Sequence, residues 1–125
     1  MRPGFGQFMV ASEEYLQFAQ QFGATDILFN TPLIPGDGGR WQLHDLVKLR
    51  LRVEQFGMKL SALENVPTNF YDHIMLNGPK RDQQIENMIA TVRNIARAGI
   101  PIFGYNWMPS HVWRTPPVAI RGGAL

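Results

Sequence analysis

Three short apolar runs in this 125-residue chain end in side chains suited to gripping a polar ligand: Asn30, the pair Glu64-Asn65, and Asn106. The segments that follow such runs add Asp37, His44, Asn69, His73, Trp107, His111, Trp113 and Arg114. A carboxamide both donates and accepts, which suits a sugar hydroxyl. An arginine matches a carboxylate with two parallel hydrogen bonds, and a tryptophan offers a flat face to the carbon side of a sugar. Gathered at one mouth, these types suit a small, hydroxylated acid. Each also has a plainer duty. An Asn at a strand end satisfies loop backbone, and Glu64 could pair with a lysine. His44 beside Asp45 reads as a surface or capping residue, His73 and His111 as solvated loop residues, and Arg114 as a partner for Trp113.

Other chemistries are excluded by what is missing. The chain has no cysteine, so it has no disulfide, thiolate metal site or cysteine nucleophile, which fits a reducing compartment. It has no His-Glu-x-x-His, no His-x-His and no calcium loop. Gly36-Asp37-Gly38-Gly39 lacks both the Walker lysine and the dinucleotide spacing, and no Gly-x-Ser-x-Gly elbow is present. Twelve Lys and Arg against ten Asp and Glu leave a net charge of +2, and no basic block exceeds Lys80-Arg81. No nucleic-acid partner is expected. No apolar run approaches the roughly 20 residues that span a membrane, and the start lacks a charged-then-apolar leader. The expectation is therefore a cytoplasmic protein without a membrane partner.

The elements that must position these residues follow from a repeated junction. Phe22-Gly23 leads into Thr25–Asn30, Phe56-Gly57 into Met58–Asn65, and Ala98-Gly99 into Ile100–Asn106. Each is a helical pattern stopped by a glycine, which takes the left-handed conformation at a helix end without a side-chain clash, and a strand starts at once. That is the mark of successive βα units and a parallel sheet. Phe5–Val10 reads as a first strand, and Ser12 as the cap of a helix carrying Glu13 and Glu14 in its first turn. A helix over 42–56 buries Leu43, Leu46, Leu49, Val53 and Phe56. One opening at Pro79 and running to Ala98 has the cleanest apolar period, Ile85, Met88, Ile89, Val92, Ile95 and Ala96, and that stripe is expected to be buried. The segments 31–40, 68–78 and 107–125 read as loops.

Four parallel strands with their helices make half of an eight-unit barrel of about 250 residues, and in such a barrel the carboxyl ends of the strands converge on one mouth. Half a barrel leaves one sheet face bare. Three solutions stay open: a second chain supplies the rest, the chain is truncated near its loop-like Arg121-Gly122-Gly123 end, or the sheet is doubly wound.

Glu64-Asn65-Val66-Pro67, Gln84-Ile85-Glu86-Asn87, Thr91-Val92-Arg93-Asn94, Ala98-Gly99-Ile100, Tyr105-Asn106-Trp107-Met108-Pro109 and Trp113-Arg114-Thr115, with the Trp41 region before the second helix, resemble the mannonate dehydratase family. The Tyr-Asn-aromatic-Met-Pro block followed by Trp-Arg-Thr is the most specific piece. The resemblance covers nearly the whole chain as the N-terminal half of a longer enzyme. It implies an α/β fold of TIM-barrel type, xylose-isomerase-like, with residues 1–125 a partial barrel of about four parallel βα units. It implies dehydration of D-mannonate to 2-keto-3-deoxy-D-gluconate in hexuronate (glucuronate) breakdown, with Mn(II) or Fe(II). It places the metal ligands and acid–base residues mainly in later strands, so no metal ligand and no catalytic residue is assigned here. Glu64, Asn106, Trp107 and Arg114 match the family's motifs at the mouth and are expected to bind substrate or support groups that do. The implied partners are a small sugar acid and either a second copy or the missing C-terminal half. Two other readings are weighed beside it: a metal-dependent sugar isomerase or epimerase on the same barrel, and a non-catalytic half-barrel that binds sugar acids or self-associates.

Overall fold

The computed structural model describes residues 1–108, 115–119 and 122. Ser12 accepts a hydrogen bond from the Tyr15 N–H at 3.3 Å and so caps α1 (Glu13–Gln21), with Glu13 and Glu14 at the positive end of its dipole. The glycines after α1, α2 (Leu43–Glu54) and the long α4 (Arg81–Arg97) have φ of +75°, +74° and +76°. The chain is thereby turned straight into β2 (Asp26–Asn30), β3 (Lys59–Glu64) and β4 (Ile102–Gly104). With β1 (Gly4–Phe8) these form one sheet in the order β1-β2-β3-β4, every neighbouring pair parallel.

The strands are shorter than the apolar runs, for local reasons. Thr31 and Asn65 adopt left-handed backbone (φ 45° and 63°), which ends β2 and β3. Pro101 has no N–H to give to a ladder, and the Ile100 N–H is taken by Ile95 O at 3.2 Å as the helix closes, so β4 begins only at Ile102.

The two sheet faces differ. Ile27, Phe29 and Leu63 point to the helices and are fully buried with Leu16, Ala19, Leu46 and Val53. The other face carries Gly4 and Gly6 of β1, Asp26, Leu28 and Asn30 of β2, Ser61, Ala62 and Glu64 of β3, and Ile102 and Gly104 of β4. It is small and polar rather than apolar. Gly6 is required there, because a Cβ would meet the Leu28 Cβ at 2.5 Å.

One expectation about packing fails. On α4 the buried residues are Gln84, Asn87, Thr91 and Ile95, whereas Ile89 and Val92 are 39% and 43% exposed and Ala96 is exposed. Of the expected stripe only Ile95 is buried, with Ile85 and Met88 half-buried. The reason is that α4 packs its polar side against loop backbone that needs partners. Gln84 accepts from Ile74 N–H (3.1 Å) and donates to Asn69 O (3.0 Å) and Asp72 Oδ1 (2.6 Å). Asn87 donates to Gly38 O (2.7 Å), Thr91 Oγ1 accepts from Trp41 N–H (3.3 Å), and Asn94 donates to Trp41 O (2.9 Å). The segment 68–78 is also more ordered than a loop. A 3₁₀ turn (Thr68–Phe70) and the single-turn α3 (Asp72–Met75) bury Phe70 and Tyr71 beneath the strand ends.

Candidate functional site

The carboxyl ends of β2, β3 and β4 are tied together by carboxamides. Asn65 Nδ2 donates to Asn30 Oδ1 at 3.1 Å, and Asn65 Oδ1 accepts from the Asn106 N–H at 2.8 Å. Its own N–H bonds Gly104 O at 2.9 Å, while Thr31 N–H bonds Glu64 O at 2.7 Å. Asn65 does all this from a left-handed backbone, a conformation that asparagine tolerates better than most residues. Above this bridge lies a cleft of ≈ 390 Å³ lined by Met9, Asn30, Thr31, Asn65, Val66, Pro67, Thr68, Tyr71, Asn106 and Met108. Its floor is amide and hydroxyl and its walls are apolar, the arrangement expected for a small polar ligand with a carbon skeleton.

Glu64 stands on the bare sheet face beside this floor, where Gln7 Nε2 of β1 donates to its Oε2 at 3.3 Å across the intervening β2. Glu64 is half-buried there. Two other carboxylates are shifted, Asp72 next to Tyr71 and Asp26 away from the mouth. Asp72 is held below the usual carboxylate value chiefly by the Gln84 hydrogen bond, against some desolvation, with the His73 N–H and the nearby His73 side chain adding to the lowering. Asp26, at the opposite end of β2, is lowered mainly by Ser61 and Thr25 hydroxyls and less by Arg2 (3.3 Å) and Lys59.

Residues 6–123 match the D-mannonate dehydratase (UxuA) family. The chain belongs to that family. It is 38% identical to a mannonate dehydratase of Thermotoga petrophila and 31% identical to one of Streptococcus pneumoniae, each over 104 residues, 83% of this chain. Only 27% of each relative is covered, so the chain spans about a quarter of their length. The crystal structure of mannonate dehydratase from Streptococcus suis serotype 2 superposes with a TM-score of 0.77 at 26% identity, over 98% of this chain and 35% of that one. The sheet observed here is thus part of a TIM-barrel-like fold.

Set against the dehydratase family's motifs, the four expected site residues fall in different places. Glu64 and Asn106 lie at the same end of neighbouring strands, and Asn106 lines the cleft floor. Trp107 does not line that cleft. It stacks on Tyr71 (5.1 Å, 22°) and faces a second, apolar groove with Met88, Val92 and Phe103. Arg114, with His111 and Trp113, lies outside the described residues. His44 sits on the surface against Asp45 (3.1 Å), as its position near a helix start suggested. Met9, Thr31 and Tyr71 were not singled out from sequence. Tyr71 had a usable signal, an aromatic in a polar segment just after a strand end, and its hydroxyl donates to Met108 O at 3.3 Å. Among the described residues no three His, Cys, Asp or Glu side chains lie close enough together to hold a metal ion.

Proposed function

We propose that this chain forms the N-terminal half of a (β/α)₈ barrel in a lyase that dehydrates D-mannonate to 2-keto-3-deoxy-D-gluconate, in cytoplasmic hexuronate (glucuronate) catabolism. The observation that carries the reading is the family match over nearly the whole chain, with the amide-floored cleft at the strand ends that the family's motifs mark. The reaction removes a proton beside the carboxylate and a hydroxyl from the next carbon, so the enzyme must fix several hydroxyls while charge builds on the acid. Asn30, Asn65 and Asn106 supply amide donors and acceptors for those hydroxyls. Glu64 and Gln7 border the enclosed side of the same site, and Tyr71 with the flanking apolar groups keeps water from one wall. Arg114 is assigned to the substrate carboxylate on residue type, and Trp107 to shaping the wall through Tyr71. The described residues do not by themselves make a site for the Mn(II) or Fe(II) that the family resemblance implies, and the ligands are assigned to further βα units.

Incubation of the complete enzyme with D-mannonate and Mn(II), followed by an assay for the 2-keto acid, tests this. Product formation is expected. Recovery of an epimer or a keto isomer instead, or no turnover of any aldonate, overturns it.

A further inference from the structure

We propose that Gln7, turned onto the bare sheet face by a bulge in β1, is a positioning residue that fixes Glu64 for a substrate hydroxyl. The inference rests on the reading of this mouth as a sugar-acid site and deepens it. In a regular strand successive side chains alternate between the two faces, so Phe5 and Phe8 would point opposite ways. Here both pack against the core, and their rings meet at 5.5 Å. The pairing with β2 shows how. Gly6 lies opposite Leu28 and Phe8 opposite Phe29, so β1 spends one extra residue, Gln7, on a single step of β2. Phe8 returns to the helix side beside Phe29 (6.3 Å), and Gln7 shares the other face with Gly6. Without the bulge, the Gln7 amide would enter the apolar layer in place of the Phe8 ring.

Bulges near functional sites re-aim side chains, and a second one supports that role here. β3 carries the same irregularity against β2, between the pairs Ile27–Leu60 and Leu28–Ala62. Its extra residue, Ser61, donates to Asp26. Each bulge thus delivers one polar donor to one carboxylate, at opposite ends of the face. The two settings differ. Asp26 also has the Arg2 guanidinium at 3.3 Å and the Thr25 hydroxyl at 2.7 Å, so its charge is offset locally. Glu64 receives the neutral Gln7 amide, and among the described residues no Lys, Arg or His pairs with it. A neutral donor fixes a carboxylate without cancelling its charge. An ionised carboxylate only accepts, which suits a hydroxyl donor. Glu64 also stands level with Asn30 of the cleft floor in the pairing of β2 with β3. Without Gln7 the carboxylate is free to swing, and the hydroxyl loses its acceptor in ground and transition state alike.

The complete enzyme carrying Gln7→Leu tests this. Its KM for D-mannonate should rise about tenfold, with kcat within about twofold of wild type. Its thermal midpoint should move by no more than about 2 °C, since Gln7 is no part of the core. Gln7→Glu keeps the length, gives up the donor and adds a like charge, so its KM should exceed that of Gln7→Leu. In a Glu64→Ala background, Gln7→Leu should cost less than about twofold in kcat/KM or, where turnover is lost, in D-mannonate affinity by calorimetry. Crystal structures of the complete enzyme and its Gln7→Leu variant give a readout that needs no turnover. The Glu64 carboxylate should hold one orientation with Gln7 and a different or divided one without it. An unchanged KM, a loss in the Glu64→Ala background as large as in wild type, or the same Glu64 orientation in both structures each overturns the proposal. A wild-type enzyme that turns over no aldonate overturns the dehydratase assignment instead, and the two Glu64 orientations still decide the role of Gln7.

Discussion

The two faces of α4 have exchanged the roles that hydrophobicity would give them. The inward face carries Gln84, Asn87, Thr91 and Asn94, and the outward one Ile85, Ile89 and Val92. The difference teaches what each face answers to. The inward face meets the backbone of two loops that run over the strand ends, and buried N–H and C=O groups must be paired wherever they lie. The outward face leaves Ile89 and Val92 partly exposed, with Val92 bordering the apolar groove shared with Phe103 and Trp107. Amphipathicity in this helix therefore reports two different partners rather than core against water.

The comparison breaks most decisively at Gln84. Gln84→Leu keeps volume and helix propensity but leaves the Ile74 N–H, Asn69 O and Asp72 without their partner. Buried polar groups left unmade cost 1–3 kcal/mol each, and with partial relaxation the expected loss is about 3 kcal/mol in thermal or urea unfolding. A neutral result would mean that the polar face is incidental. The same substitution removes the main cause of the lowered Asp72 pKa. A carboxylate lowered in the folded state adds stability that is fully present above its unfolded value, near 4, and lost as pH falls through the folded one. The acid limb of the unfolding profile should therefore flatten in Gln84→Leu. Asp26→Asn should flatten it in the same sense, since Ser61 and Thr25 hold that carboxylate down.

Next in size is Asn65. Asn65→Ala loses both the Asn30–Asn106 bridge and tolerance of φ 63°, and about 2 kcal/mol of destabilisation is expected. Asn65→Gly keeps the backbone and loses only the amide. It should recover part of the stability while the complete enzyme still shows a raised KM for D-mannonate. Equal recovery of both would make the bridge a matter of backbone alone.

These residues also mark how far the sequence could be read. The four strands, their parallel order and the gathering of Asn30, Glu64 and Asn106 at one end were legible, because glycine stops and apolar runs act through local backbone rules. The family was legible from motif blocks spread along the chain. The buried face of α4 was not. Periodicity shows which residues share a face but not what that face meets, and a polar stripe that latches loops looks the same as a solvated one. The place of Trp107 was hidden for a related reason. Strand parity after Gly104 decides which wall it joins, and β4 is too short to fix parity by alternation.

Thr91→Val sharpens the inward half. It is nearly isosteric and takes away only the acceptor for the Trp41 N–H, one neutral hydrogen bond, so about 1 kcal/mol is expected. The outward half should give least. Ile89→Ser deletes apolar surface that is already 39% exposed, and in dilute protein its effect on unfolding should stay within about 0.5 kcal/mol. Dilution matters because association adds stability by mass action. If the same variant becomes clearly destabilising only as concentration rises, the outward face is working as a contact surface. A large loss in dilute protein would instead place Ile89 inside the fold's own core, and the contrast between the two faces would disappear.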